Sequence, residues 1–183
     1  CGPASSPRTP SSSRAIGDGW LYTGDIGEFD ADGHLKITDR KKDIIVLSGG
    51  DNVSPARVEG FLVLQPEIAQ AMAHGDRHPH VVALLVPDPD FARDWAAKNN
   101  GPKIGADGDL AALADNPAFH KAIAATIDRV NANLSPIERI RRFALLPEAF
   151  TIDNAMLTPS MKIRRHKIRE RWGDVIARLY ERS

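Results

Sequence analysis

The chain has 183 residues, 24 basic and 24 acidic, and an apolar fraction of 42%, which suits one domain with an appendage and a real core. A formal net charge of zero supplies no global field to recruit nucleic acid or an anionic membrane surface. The single cysteine, Cys1, excludes internal disulfides and cysteine-based zinc sites and fits a reducing compartment, and no run approaches the roughly 18 apolar residues of a membrane span, so a cytoplasmic chain, at most peripheral to a membrane, is expected.

Residues 1–16 are rich in Ser, Pro and Arg and have almost no apolar periodicity, so they cannot bury enough surface to offset their ordering entropy. A disordered or artefactual N-terminus is expected there. Alternation then begins. Ile26 to Phe29, an acid-and-glycine turn at Asp30 to Gly33, and Leu35 to Thr38 read as a β-hairpin. Just before it, in Tyr22-Thr23-Gly24-Asp25, Asp25 either caps the turn or offers a carboxylate that accepts both hydroxyls of a vicinal diol.

The stretch from Asp39 to Glu59 is the richest in signals. A charge cluster, Asp39 to Asp43, leads into the apolar run Ile44 to Leu47, read as a buried strand, and then into a tight turn at Gly49-Gly50. Ser54 is the expected N-cap and Pro55 the first residue of a helix that includes Arg57, Val58 and Glu59. Ile68 to Ala73 and the continuous apolar run Val81 to Val86 read as a strand hairpin across a turn carrying His74, His78 and His80. Those histidines favour a solvated loop over a metal site, because Pro79 breaks helical spacing and no acidic or sulfur ligand is suitably placed.

Phe91 to Lys98 suits an amphipathic helix with Trp95 inward, stopped at Asn99 to Pro102. Asp115-Asn116-Pro117 starts a long helix whose Phe119, Ile123, Ile127 and Val130 recur at helical spacing. The basic end, Lys162 to Arg169, reads as a solvated amphipathic helix with a core face of Ile168, Trp172, Val175, Ile176 and Leu179, in preference to a nucleic-acid or acidic-lipid binder.

Three ordered motifs resemble the AMP-forming acyl-CoA synthetases: Gly19 to Arg40 with its Tyr-x-Thr-Gly-Asp, the Asp39 to Pro55 segment, and Leu157-Thr158-Pro159 leading to Lys162. Val130 to Thr151 further resembles the long-chain members. The resemblance implies an α+β lid domain, a small antiparallel sheet flanked by helices, over residues 41–183, with residues 17–40 as the end of a preceding adenylation domain. It implies Lys162 as the catalytic residue, Asp25 and Arg40 as ribose contacts, Lys42 as a hinge, and Gly49 and Gly50 on the path of CoA. ATP/AMP and CoA are the implied substrates with a fatty acid, and Mg2+ is assigned to the preceding domain, with no metal ligand on this chain. Many long-chain relatives carry Asn-Gly-Glu where this chain has Asn154-Ala155-Met156. The competing expectations are a stand-alone lid-like interaction module and the basic-helix binder.

Overall fold

The computed structural model describes residues 16–17, 20–21, 23–29, 31–40, 43–102 and 110–181. The chain divides into two units, residues 1–44 and 45–183. In the first, β1 (Ile16–Gly17) pairs with β2 (Trp20–Leu21), and β3 (Asp25–Phe29) pairs antiparallel with β4 (Leu35–Arg40). The expected hairpin is therefore present. Gly33, at φ +83, supplies the left-handed backbone that its turn requires. Of the segment expected to lack structure, only Ile16 lies within the described residues, where it opens β1.

The second unit opens with a two-stranded ribbon, β5 (Ile45–Val46) and β6 (Asn52–Val53). Ile45 and Leu47 are buried while Val46 is 44% exposed, so the apolar run is not a strand buried on both faces as expected. Only alternate side chains of a two-stranded ribbon have a core to face. Helix α1 (Pro55–Val63) follows as the capping residues dictate: Ser54 Oγ accepts the Arg57 N–H at 3.2 Å and Pro55 occupies the first turn.

The main sheet has the order β7-β8-β9, made of β7 (Ile68–His74), β8 (Val81–Pro87) and β9 (Ile140–Leu145). The α+β class holds. One detail differs from the expected antiparallel sheet, since β9 joins β8 in parallel. A parallel neighbour needs a long crossover, and the helices α2 (Pro89–Lys98), α3 (Ala111–Ala114) and α4 (Pro117–Asn131) lie in that connection. The central position of β8 explains its composition: every one of its residues is buried. Asp88 and Asn116 cap α2 and α4, each accepting two backbone N–H groups. From α4, Phe119, Ile123, Ile127 and Val130 enter the core. The C-terminal helix α5 (Arg165–Glu181) buries Ile168 and Ile176 and is kinked at Trp172. No helix among the described residues is long and apolar enough to cross a membrane.

The end of α5 is latched to the β7–β8 turn by aromatic contacts. The Tyr180 ring stacks on His78 at 3.7 Å, and its hydroxyl donates to the backbone carbonyls of His74 (3.2 Å) and His80 (3.1 Å). Among the described residues no group of His, Cys, Asp or Glu side chains is placed to hold a metal ion. Burial, reinforced by His78, Arg169 and Arg165 against the opposing Asp76, lowers the His74 pKa to about 4. The folded state therefore favours neutral His74, whereas the unfolded chain takes up a proton below its ordinary value near 6.5. Stability from this group is complete above that value and is lost as pH falls toward 4. Between pH 7 and 5 the chain is expected to lose at most about 2 kcal/mol more than a His74→Asn variant, in paired urea titrations.

Candidate functional site

Lys162 sits at the base of a tight hairpin turn just before α5. Thr158 N–H donates to the Lys162 carbonyl and Met161 N–H to the Thr158 carbonyl, both at 2.8 Å, while Leu157 and Ile163 form an antiparallel bridge. The Thr158 hydroxyl accepts the Lys162 N–H at 3.0 Å and lies 3.0 Å from the Ser160 hydroxyl. Met161 adopts φ 60, the left-handed step that closes such a loop. The Leu-Thr-Pro sequence is legible in these terms. Leu157 is buried as an anchor, Thr158 ties the turn with its side chain, and Pro159 starts the loop with a fixed φ. The lysine side chain is left exposed, with its backbone held.

Two polar clamps fix this hairpin to the sheet. Glu59, on α1 and only 9% exposed, accepts the Ala73 N–H of β7 at 2.8 Å and receives both guanidinium nitrogens of Arg165 at 2.5 and 2.8 Å. A bidentate pair of this kind fixes direction as well as distance, and Arg165 begins α5 immediately beyond the hairpin. Upstream, the Gln70 amide exchanges two hydrogen bonds with the backbone of Phe150, at 2.9 and 2.7 Å. Sequence reasoning read Glu59 and Arg165 only as helix residues. An acidic residue between Val58 and the apolar Phe61-Leu62 was the available signal, but its partner is distant in sequence.

The loop between the clamps is shaped by Asn154, whose side-chain oxygen accepts the N–H groups of Thr151 (2.9 Å) and Met156 (3.2 Å) and whose amide donates to the Ala149 carbonyl. Ala155 follows at φ 60. This is the position at which long-chain relatives were noted to carry glycine. An L-residue there costs about 1–2 kcal/mol of backbone strain, which glycine relieves at some expense in unfolded-state entropy. Ala155→Gly is expected to raise stability by about 0.5–1 kcal/mol, read as a higher urea midpoint at unchanged slope.

The glycine turn repeats the same closure. Leu47 N–H donates to the Asp51 carbonyl and Gly50 N–H to the Leu47 carbonyl, both at 2.9 Å, and Gly50 stands at φ +90 where Met161 stands in the other hairpin. Ser48 to Asp51 is exposed, and nothing lies within 4 Å of the place a Gly50 side chain would occupy. In the first unit, Asp25 and Arg40 are direct register partners across β3 and β4, so the hairpin places the two expected ribose contacts opposite each other. The Asp25 N–H donates to the Thr23 hydroxyl at 3.2 Å. Lys42 lies outside the described residues.

Part of the basic segment is taken up in ion pairs. Arg165 pairs with Glu59, Lys167 with Glu170 and Arg171 with Glu148, while Ile168 is fully buried between them. Ion pairing takes Arg165 and Lys167 out of the free cationic charge that backbone binding to nucleic acid needs.

A three-stranded mixed sheet in one unit with two exposed hairpin turns outside it, one of them presenting a lysine ahead of the last helix, defines a class of small α+β domain. A family model described as AMP-binding enzyme C-terminal domain matches residues 42–183, and the chain belongs to that family. It is 40% identical over 169 residues to the long-chain-fatty-acid–CoA ligase FadD15 of Mycobacterium tuberculosis, covering 92% of this chain and 28% of that protein. It is 37% identical over 166 residues to the human long-chain-fatty-acid–CoA ligase 1, covering 89% of this chain and 23% of that protein. The chain thus spans about a quarter of the length of these curated relatives. The fold matches the adenylation domain of a carboxylate reductase from Mycobacterium chelonae at a TM-score of 0.77 and 23% identity, over 93% of this chain and 25% of that one. Nothing in these comparisons supports a stand-alone interaction module or a nucleic-acid binder.

Proposed function

We infer that this chain acts as the C-terminal lid of an AMP-forming long-chain fatty-acid:CoA ligase, over residues 41–183, with residues 17–40 belonging to the end of the adenylation domain. The fatty-acid carboxylate attacks the α-phosphate of ATP and pyrophosphate leaves, giving an acyl-adenylate. The thiol of CoA then attacks the acyl carbonyl and AMP leaves. Negative charge builds on the phosphoryl oxygens in the first step, and the Lys162 ammonium, a compact charge on a flexible stem, stabilises it. Asp25 accepts the ribose hydroxyls, with Arg40 as a second ribose contact. Lys42 is the hinge about which the lid turns, and Gly49 and Gly50 then line the path of the CoA arm, where the absence of a side chain leaves room. The Mg2+ that accompanies ATP is assigned to the preceding adenylation domain, and no role described for these residues depends on it.

The observation that carries this reading is the exposed Lys162 on a hairpin whose backbone is tied by Thr158 and anchored by Glu59 and Arg165. A mobile cation on a fixed base suits transient charge stabilisation. The location that goes with this reading is cytoplasmic, at most peripheral to a membrane. The test is a pyrophosphate-release assay with ATP and palmitate. The 183-residue chain alone is expected to release none above a Lys162→Ala control, and the same chain joined to an adenylation domain of a relative is expected to turn over. Palmitate-dependent release by the chain alone, or none from the joined enzyme, would contradict the assignment.

A further inference from the structure

The chain has 3 methionines, and the fold separates them by environment. Met72 lies within β7 and is 1% exposed, and Met156, just before the Lys162 hairpin, is 2% exposed. Both belong to the hydrophobic core, the usual place for a soft, unbranched thioether that fills gaps. Met161 is 66% exposed. Its side chain is displayed to solvent on the residue directly before Lys162, where packing gives no reason for it.

The backbone on both sides of that side chain is held. Met161 stands at φ 60 and its N–H donates to the Thr158 carbonyl at 2.8 Å, while Thr158 also takes the N–H and the carbonyl of Lys162. None of these bonds uses the Met161 sulfur, so the sulfur can change its chemistry without opening the hairpin. Oxidation turns an apolar thioether into a polar sulfoxide, whose oxygen accepts hydrogen bonds. The adjacent residue carries an ammonium with three donors and no acceptor.

We propose that Met161 is a reversible oxidation site, and that its sulfoxide restrains the Lys162 ammonium and so regulates the lid. The oxidant is a hydroperoxide, hydrogen peroxide in the simplest case. The sulfur gives an electron pair to one peroxide oxygen, and the S–O bond forms as the O–O bond breaks. The other oxygen leaves as hydroxide and becomes water with the proton of the transferred hydroxyl. A dithiol reductant reverses the change, becoming a disulfide while the sulfoxide oxygen leaves as water. The selectivity for Met161 rests on exposure alone, whereas the effect on turnover rests on the role proposed for Lys162.

The test has two arms. In the first, the full chain is treated with hydrogen peroxide and the gain of one oxygen at each methionine is followed by peptide mass spectrometry. Met161 is expected to oxidise at least about 10-fold faster than Met72 and Met156, which react only through local opening, and the three rates should converge in urea. The urea midpoint of the chain oxidised at Met161 should match that of the untreated chain. Equal rates at the three methionines of the folded chain would overturn the site.

In the second arm, palmitate-dependent ATP–pyrophosphate exchange is compared before and after peroxide in the enzyme that joins this chain to an adenylation domain. Oxidation of Met161 is expected to slow exchange at least about 10-fold, the lower range for losing a group that stabilises transition-state charge, and methionine sulfoxide reductase should restore it. Met161→Leu should keep its own untreated rate after peroxide, and Met161→Gln, which carries a permanent acceptor, should be slow before treatment. Unchanged exchange with Met161 fully oxidised, or equal inactivation of Met161→Leu, would overturn the regulatory role. A joined enzyme without exchange before peroxide would overturn the ligase assignment and the regulation with it, while the oxidation site is still decided by the first arm.

Discussion

Replacing Lys162 with alanine in an enzyme that joins this chain to an adenylation domain is expected to slow acyl-adenylate formation by about 10²-fold or more, the usual consequence of removing a group that stabilises transition-state charge. The surroundings of Lys162 make the substitution clean. Its side chain is exposed, and the hairpin is held by the Lys162 N–H on the Thr158 hydroxyl and by the Lys162 carbonyl on the Thr158 N–H, bonds that alanine keeps. The loss should therefore appear in palmitate-dependent ATP–pyrophosphate exchange without a change in urea midpoint. Lys162→Arg is expected to recover little. A planar fork does not reproduce a compact point charge at the same reach. Exchange within a few-fold of the parent in Lys162→Ala would remove the lysine from the mechanism.

Glu59→Ala is expected to destabilise the second unit by about 3 kcal/mol. The substitution strands the Arg165 guanidinium and the Ala73 N–H together, and breaking one side of a buried pair costs about 3–5 kcal/mol, with the lower end appropriate because Arg165 keeps some contact with water. Glu59→Gln, which retains an acceptor for Ala73, should fall between. The functional consequence follows from position: Arg165 is the first residue of α5, directly after the Lys162 turn, so the hairpin loses one of its two clamps. Destabilisation below about 1 kcal/mol in denaturant titration would mean that the pair is solvated and that the hairpin is held by Gln70 and the core alone.

The elements with a local code were legible in the sequence. Ser54-Pro55 and Asn116-Pro117 each place a capping side chain before a proline and start helices as expected, and Asp88-Pro89 does the same two residues ahead of the expected start at Phe91. The β3–β4 hairpin and β7–β8 pair followed from apolar runs separated by turn residues. Strand β9 was not legible as a strand. Arg141 and Arg142 interrupt its apolar character because it lies at one end of the three-strand order, and its parallel pairing to β8 is settled by a crossover through three helices, not by anything within Ile140 to Leu145. The apolar run at Ile44 to Leu47 misled for the opposite reason, as its neighbours form only a two-strand ribbon.

The candidate site divides the same way. Lys162, Asp25, Arg40, Gly49 and Gly50 stood out because their motifs resemble those of a family. Backbone geometry then supplies physical reasons for two of the positions, with Gly50 at a left-handed φ and Asp25 in register with Arg40. Glu59 and Arg165 lie 106 positions apart, and no local pattern could pair them. The same holds for the Gln70 clamp on Phe150, which closes across 80 positions.

If the two hairpin turns serve different half-reactions, as proposed, measuring both steps separately in Lys162→Ala and Gly50→Leu tells them apart. Gly50 has open space where a side chain would project, so leucine adds bulk at the exposed turn and costs about 1–2 kcal/mol of backbone strain without displacing the core. In the joined enzyme, Lys162→Ala is expected to lose adenylate formation yet convert supplied palmitoyl-adenylate to palmitoyl-CoA, and Gly50→Leu is expected to form the adenylate but fail to transfer it to CoA. Equal slowing of both steps in both variants, with circular dichroism unchanged, would contradict that division.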